Sequence, residues 1–518
     1  MNKGLKDKQP SLFSAIAIGV GCIIGSGWLF AAYYASRCAG PASLISWVIG
    51  AVLALILALL LAEITTMYKD RGLFSRLLTI THNNKDFGFI IALSNWIGLL
   101  IVIPSEATAT IQYLSSAVPK FSPFLMHNEH LTLLGVFFVI CLIIIYGLIN
   151  YWGFKGLTAI NNIITSFKFI VPLFTGILLI IVAFNGNNFT AYKGSFMPYG
   201  LGSIFSAVVQ SGIFYAYYGF STIAIFGAEL KNPKRNIPLA LVGSVLVCLV
   251  IYLVLQIAFI GAIPADMISN GWHTVDFTSP LAQLLILVNL NVWSIFLYVD
   301  AVISPSGTGI VYSGSATRML TGMASDAQMP LYFDRVHPIF NLSRRSLVAS
   351  MIISIIVVLF FREWRSIIIM VTAVQLIGCI AVPVAFTKLR ISQPNKKRLF
   401  RFKGGSLASP CLYVLLTYLM VQAGSEALIS TFIISSLFFL LYAFSYYHHN
   451  MKAIGCAFLS AWTMFAYLII VIILALISEH KLLSDVVFYT TLVVTACIMF
   501  VLMILQKDYN CSDDVTPQ

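Results

Sequence analysis

Between Ile18 and Phe30 the chain reads Ile-Gly-Val-Gly-Cys-Ile-Ile-Gly-Ser-Gly-Trp-Leu-Phe, four glycines and a serine inside an apolar stretch. Glycine costs about 1 kcal/mol against alanine in a helix interior, so the run predicts a membrane helix that is interrupted. In lipid, interrupted backbone survives only where protein buries it or where it lines a cavity. The freed N–H and C=O groups make the break a candidate binding site for something polar. Three ionisable residues, Glu106, Lys168 and Asp300, lie inside other apolar stretches. Lys168 is too deep for an easy snorkel, a buried ammonium is expensive, and a proton could come and go there near neutral pH. Glu106, just after Pro104, and Asp300 could hold a basic side chain of a ligand, relay protons, or share a proton with each other. Hydrogen bonding to the backbone near Pro104 or Pro305 is the structural alternative.

Enzyme chemistry finds no support among these residues. The nine cysteines are scattered, mostly within apolar stretches (Cys22, Cys141, Cys248, Cys379, Cys497), with no CxxC pair and no disulfide framework. The eight histidines sit in loops or at span ends. The glycine-rich run lacks the strand–loop–helix setting and the Lys-Ser/Thr ending of a phosphate-binding loop. The expectation is therefore no catalytic residues, no metal and no cofactor.

The elements that must position these residues are membrane helices. Of 518 residues, 59% are hydrophobic and 10% charged, where soluble proteins carry about 25% charged residues. Spans of about 20 apolar residues are predicted near 12–36, 42–67, 87–118, 131–150, 158–184, 202–228, 237–262, 282–317, 346–361, 366–388, 409–424, 427–447, 453–477 and 484–506, fourteen in all, with a twelve-span count as the alternative. A short outer helix, Leu281–Asn289, is expected before the eighth span proper begins near Trp293. With the N-terminus inside, most of the 31 Lys and Arg fall on the cytoplasmic side. Arg37, Lys120, Lys193, Arg362, Arg365 and Lys481 fall outside, and Lys168 belongs to neither side. The net charge of +12 then reflects loop asymmetry and not a nucleic-acid partner. The polar start leads into a retained first helix, not a cleaved signal peptide. With no disulfide or glycosylation pattern, this points to a prokaryotic inner membrane.

Five spans after the first break comes Ser211-Gly-Ile-Phe-Tyr-Ala-Tyr-Tyr-Gly-Phe-Ser-Thr222, again rich in glycine, small and aromatic residues. Interrupted helices at matching positions of two halves are the pattern of inverted repeats that cross at the bilayer midplane; glycine-mediated helix packing is the plainer alternative. The implied organisation is a cytoplasmic tail at 1–11, a ten-helix core at 12–403 with repeats at 12–184 and 202–388, further helices at 404–506 and a tail at 507–518.

These segments resemble those of the amino acid–polyamine–organocation (APC) superfamily. The first span is similar to its Gly-x-Gly-x-x-Ile-Gly-Ser-Gly element. Ala39–Trp47 with Ala62, Glu63 and the Arg71-Gly72 turn resembles its second span, and Asn150–Lys155 with Asn161, Asn162 and Lys168 resembles the entry to its fifth. Glu229–Pro238 resembles the end of the sixth, and Ala316–Leu320 with Met329-Pro330 the end of the eighth. Pro104–Ala109 and Asp300–Thr308 resemble a proton-coupled amino acid permease branch that includes aspartate–proton symporters.

The resemblance implies an all-α, leucine-transporter-like 5+5 inverted repeat with helices 1 and 6 broken, plus about four C-terminal helices. It implies a carrier of amino acids by alternating access, with proton symport or exchange as the two modes. Its first-span break would bind the substrate carboxylate through the Ser26 hydroxyl and the Ser26 and Gly27 amides, where a helix N-terminus favours an anion. The ammonium group would take carbonyls near Cys22 and Ile23, and near Phe214, Tyr215 and Tyr218, with Tyr215 as an aromatic lid. In related proton-coupled members a fifth-span lysine stands where sodium-dependent relatives hold a sodium ion. Lys168 would then bridge carbonyls of span one and hydroxyls of span eight such as Ser304 or Ser306, or act as a fixed strut in an exchanger. Glu63 and Glu229 read as gate or loop-anchoring ion pairs. The partners implied are an amino acid, the proton and membrane lipid.

Overall fold

The computed structural model describes residues 12–68, 76–152, 157–220, 232–340, 342–447 and 450–507. The Arg71-Gly72 turn, Lys155 and the segment from Ser221 to Lys231, which contains Glu229, lie outside the described residues. Apart from a two-stranded hairpin the described chain is helical.

Helix α1 (Leu12–Ile23) ends in the glycine-rich run, and α2 (Gly27–Ala39) begins three residues later. A 3-10 turn at Gly40–Ala42 leads into α3 (Ser43–Met67). Gly40 is left-handed at φ +61°, and a Cβ there would lie 2.9 Å from Pro198 Cγ. Short α4 (Leu77–His82) precedes α5 (Lys85–Ala117), whose first turn is capped by Asn84 Oδ1 accepting from Phe87 N at 2.9 Å. After α6 (Ser122–Leu125) comes the hairpin of β1 (Met126–His127) and β2 (His130–Leu131). Helices α7 (Leu133–Tyr151) and α8 (Leu157–Ala183) follow. Next, α9 (Gly200–Gln210) and α10 (Ile213–Tyr218) are separated by Ser211 and by Gly212 at φ +80°. Then come α11 (Pro233–Ala262), α12 (Pro280–Leu287), α13 (Asn291–Ser325), α14 (Arg344–Phe360) and α15 (Trp364–Ser392). The last four are α16 (Gly405–Gln422), α17 (Ser425–Tyr446), α18 (Met451–Glu479) and α19 (Asp485–Leu505).

Among the described residues, eleven helices are long and apolar enough to cross a membrane, with α2 and α3 counted as one continuous stretch. The most apolar stretches of α5 and α15 are almost wholly buried; the two helices pack against each other, and α5 packs most extensively on α13. Helices α7, α8 and α17 leave apolar side chains such as Phe137, Ile181 and Ile433 exposed, as lipid-facing helices do. Pro104 and Pro305 sit inside α5 and α13, tolerated in membrane helices because neighbours satisfy the freed carbonyls.

Polar staples at one end of the bundle join distant parts of the chain. Glu63, at the end of α3, accepts two hydrogen bonds from Arg390 (2.8 and 3.1 Å) and one from Phe402 N (2.8 Å), and lies 3.1 Å from Arg398 Nε. The C-terminal helices are pinned to the same end. Tyr442 and Tyr447 both donate to Asp86 (2.8 and 2.9 Å), Asn84 donates to Ser460 O (3.1 Å), and Lys388 donates to Ile504 O (2.7 Å). Cys456 is disulfide-bonded, a single bond and not a framework, and seven other cysteines are free thiols.

Candidate functional site

The break between α1 and α2 packs directly against α10 and the turn that ends it. A Cβ on Gly27 would lie 3.1 Å from Ala216 Cβ, and one on Gly219 would run into the Cys22 carbonyl. Small residues here let two pieces of backbone touch. The first N–H groups of α2 carry the positive end of its dipole, and Glu106 from α5 answers it. Ser26 N donates to Glu106 Oε2 at 2.8 Å, Tyr215 Oη donates to Glu106 Oε1 at 2.5 Å, and Tyr215 Oη lies 3.3 Å from Ser105 Oγ. The Glu106 carboxyl thus occupies the Ser26 N–H, the group that the family resemblance assigns to a ligand carboxylate. Tyr215 is buried against this carboxylate and does not face lipid. The Ser26 hydroxyl accepts from Trp364 Nε1 at 3.1 Å.

Lys168 approaches the other side of the break. Its Nζ donates to Gly21 O at 2.9 Å and to Thr308 Oγ1 at 2.6 Å. A span-one carbonyl and a span-eight hydroxyl are the expected kinds of partner, but the hydroxyl belongs to Thr308, one turn beyond Ser304. Ser304 and Ser306 are engaged elsewhere: Ser304 Oγ donates to Asp300 Oδ1 at 2.7 Å, and Ser306 Oγ accepts from Tyr146 Oη at 2.9 Å. Asp300, Ser304 and Thr308 follow one another at i, i+4 and i+8 and so share one face of α13. Asp300 is fully buried, and its Oδ2 has no hydrogen-bond partner among the described residues. No hydrogen bond joins Glu106 to Asp300 among the described residues; Glu106 serves the break and Asp300 the α13 face.

Gly25 lies between the two charged groups. A Cβ there would fall 2.6 Å from Glu106 Oε1 and 3.3 Å from Thr308 Cγ2. Gly25→Ala is expected to push Glu106 off Ser26 and to lower substrate uptake at least tenfold (about 1.4 kcal/mol) at unchanged expression. Uptake within twofold of wild type would count against this.

Of the carbonyls expected to be open to an ammonium group, Ile23 O is not free: it accepts from Gly25 N at 3.1 Å and from Tyr252 Oη at 3.4 Å. Tyr252 Oη also reaches Ala216 O at 3.1 Å, tying both broken segments to α11. Phe214 and Tyr218 are buried beside the break, and Tyr218 Oη donates to Asn95 Oδ1 at 3.4 Å.

An aromatic cover lies over Ser26. Trp364 stacks on Phe30 with centroids 4.5 Å apart and on Tyr34 at 5.8 Å, and Phe30 meets Tyr113 edge-on at 5.1 Å. The hairpin straps this cover. Glu129 Oε1 lies 3.4 Å from both Tyr33 Oη and Arg37 Nη1, and Oε2 lies 3.4 Å from Tyr34 Oη. Burial raises the Glu129 carboxyl above its ordinary value, Arg37 opposes this, and Glu363 and Asp276 add to it. Glu129→Ala is expected to speed amide hydrogen exchange in the last turns of α2 about fivefold, the equivalent of roughly 1 kcal/mol; unchanged exchange would show that the strap bears no load.

Trp364, Thr308, Tyr252 and Gln375 were not indicated by the sequence. Gln375 is buried with neither amide atom bonded among the described residues. A polar residue mid-span was the one available signal for it. Among the described residues no group of three or more His, Cys, Asp or Glu could hold a metal ion.

The long apolar helices and the buried charges about the α1–α2 break define a multi-pass membrane protein with a polar centre. A family model described as "Amino acid permease" matches residues 11–425. The chain belongs to this family of amino acid transporters, within the APC superfamily. It is 38% identical over 419 residues to the glutamate/serine transporter AimA of Bacillus subtilis (strain 168), covering 80% of this chain and 77% of the relative. It is 29% identical over 482 residues to the aspartate-proton symporter of the same organism, covering 92% and 91%. A methylthioribose transporter, also from Bacillus subtilis (strain 168), is 25% identical over 340 residues, covering 64% and 70%.

Proposed function

We propose that the protein is a proton-coupled amino acid carrier working by alternating access about the paired breaks. The observation that carries this is the pair of opposite charges flanking Gly25: Glu106 on the Ser26 N–H, and Lys168 on Gly21 O and Thr308. In this reading the substrate carboxylate takes over the Ser26 and Gly27 amides and the Ser26 hydroxyl, and Glu106 leaves carrying a proton. The substrate ammonium turns to the backbone around Cys22, Phe214, Tyr215 and Tyr218. Lys168 passes its proton on or retains it according to whether Thr308 and Gly21 remain in reach, and the Asp300–Ser304 pair relays protons along α13. Charge balance supports the exchange of one carboxylate for another, because an uncompensated charge in lipid is costly.

The architecture that fits is a 5+5 inverted repeat, with α1–α2 and α9–α10 as its broken first and sixth helices, repeats at 12–184 and 202–388, and the helices of 404–506 added. The N-terminus would be cytoplasmic and the location a bacterial plasma membrane. The names of the relatives, glutamate/serine and aspartate-proton, make small polar and acidic amino acids the first substrates to try. Exchange is the second reading, favoured by the two hydrogen bonds that hold Lys168 as a strut.

The test is uptake of labelled amino acids into proteoliposomes, with and without an inward proton gradient, for wild type and Lys168→Ala. Gradient-driven accumulation that Lys168→Ala abolishes is the expected result. Uptake that depends only on preloaded amino acid, whatever the gradient, would overturn symport in favour of exchange.

A further inference from the structure

The loop between α13 and α14 folds over a cavity of about 340 Å³ lined by Arg335, Val336, His337, Pro338, Arg344 and Arg345. Among the described residues no acidic residue lines it. Asp334, next in sequence to Arg335, is turned away to accept from Ser325 Oγ at 2.5 Å. Three guanidinium groups and an imidazole therefore converge without a countercharge among the described residues.

Their placement is costly unless something anionic is bound. Arg344 and Arg345 open α14, where the helix dipole disfavours cations. Both are held in place: Arg344 lies over Tyr151 (4.1 Å) and Phe340 (5.0 Å), and Arg345 lies over Tyr332 (4.1 Å) and donates to Tyr332 O at 3.2 Å. The Arg344 Nε is sealed from solvent with no hydrogen-bond partner among the described residues. His337 Nδ1 accepts from Ile339 N at 3.3 Å, which leaves Nε2 as a ring donor.

The surroundings of the cavity are apolar and exposed. Leu331 and Ile339 on the loop are 70% and 78% exposed, as large apolar side chains of a loop in water would not be, and Tyr332 and Val336 are exposed beside them. Along α14 the exposed Val348, Ile352 and Ile356 continue from Arg344 at four-residue steps, one lipid-facing stripe. Cations at the membrane surface that give way to an apolar stripe match a molecule with an anionic head and hydrocarbon chains. A basic pocket between membrane helices is a recognised way to hold such a head group.

We propose that this cavity binds the phosphate of an anionic phospholipid, with its acyl chain along Val348, Ile352 and Ile356. The inference requires only that the chain spans a membrane, so it stands or falls separately from the transport reading.

The test uses the full-length protein in non-ionic detergent, titrated with short-chain phosphatidylglycerol and, in parallel, with phosphatidylcholine and inorganic phosphate. Native mass spectrometry reads the bound fraction. Phosphatidylglycerol should bind at least tenfold more tightly than phosphatidylcholine. Arg335→Gln, an exposed side chain with no hydrogen bond among the described residues, should weaken it about fivefold, and Arg335→Gln with Arg345→Gln about 25-fold, at about 1 kcal/mol per cation. Lys396→Gln with Lys397→Gln, elsewhere on the surface, should leave it within twofold. The proposal fails if the arginine variants bind as wild type does or if the lysine variant loses as much. It also fails if inorganic phosphate displaces the lipid at equal concentration, since the site would then be one for free phosphate.

Discussion

Glu106→Ala is expected to abolish uptake, lowering the rate in proteoliposomes by at least 100-fold, about 2.7 kcal/mol or more. The side chain is fully buried and satisfies Ser26 N and Tyr215 Oη together. Its removal leaves Ser26 N without that partner, at about 1–3 kcal/mol, and leaves Tyr215 Oη with only Ser105 Oγ at 3.3 Å. Glu106→Gln separates geometry from charge. An amide can still accept from Ser26 N, so the folded protein and substrate binding should survive, while no proton can be carried. Glu106→Gln should then exchange labelled for unlabelled amino acid across the membrane, yet fail to accumulate substrate when a proton gradient is imposed. Gradient-driven accumulation by Glu106→Gln at the wild-type level would remove Glu106 from the coupling step.

Glu63→Ala should give the largest loss of stability. Glu63 is 1% exposed and faces Arg390 and Arg398, whose side chains are 16% and 6% exposed. Breaking a buried ion pair by removing one partner costs about 3–5 kcal/mol, because a buried charge is left unanswered. Arg390 keeps Phe402 O and Ser406 Oγ, and Arg398 keeps Leu389 O and Gln393 O, so the lower end of that range applies. In a chain of this size the detergent-solubilised melting midpoint should fall by about 3 °C. Glu63→Gln should fall by less, since an amide oxygen can still accept from Phe402 N. A midpoint for Glu63→Ala within a degree of wild type would mean that the arginines find other partners.

What could be read from the chain alone was local chemistry that has no bland use. Glycines clustered in an apolar run weaken helix at that place whatever surrounds them, so the stop between Ile23 and Gly27 was written in Gly25-Ser26-Gly27. A lone lysine in a span announces itself by its cost. The chain did not carry the identity of partners brought in from far away. Trp364, which covers Ser26, lies 338 residues from it and reads in sequence as an ordinary interfacial aromatic. Tyr252, which occupies the Ile23 carbonyl, comes from 229 residues away. Thr308 was passed over for Ser304 and Ser306 because all three hydroxyls lie within five residues. Only the packing of α8 on α13 decides which of them meets an ammonium.

The last four helices matched no functional element in the sequence, yet their attachments are selective. They pack on α3, α5, α9 and α15 and are stapled to the core through Asp86, Asn84 and Lys388. A helix so encumbered cannot tilt without dragging its neighbours through lipid. For a carrier this divides the molecule into a chassis and moving parts: α5 and α15, which present Glu106 and Trp364, are bolted to the chassis. Helices α1, α8 and α11 pack on one another and bring Gly21, Lys168 and Tyr252 together, and α11 also rests on α3, so any motion of this group has to slide along α3.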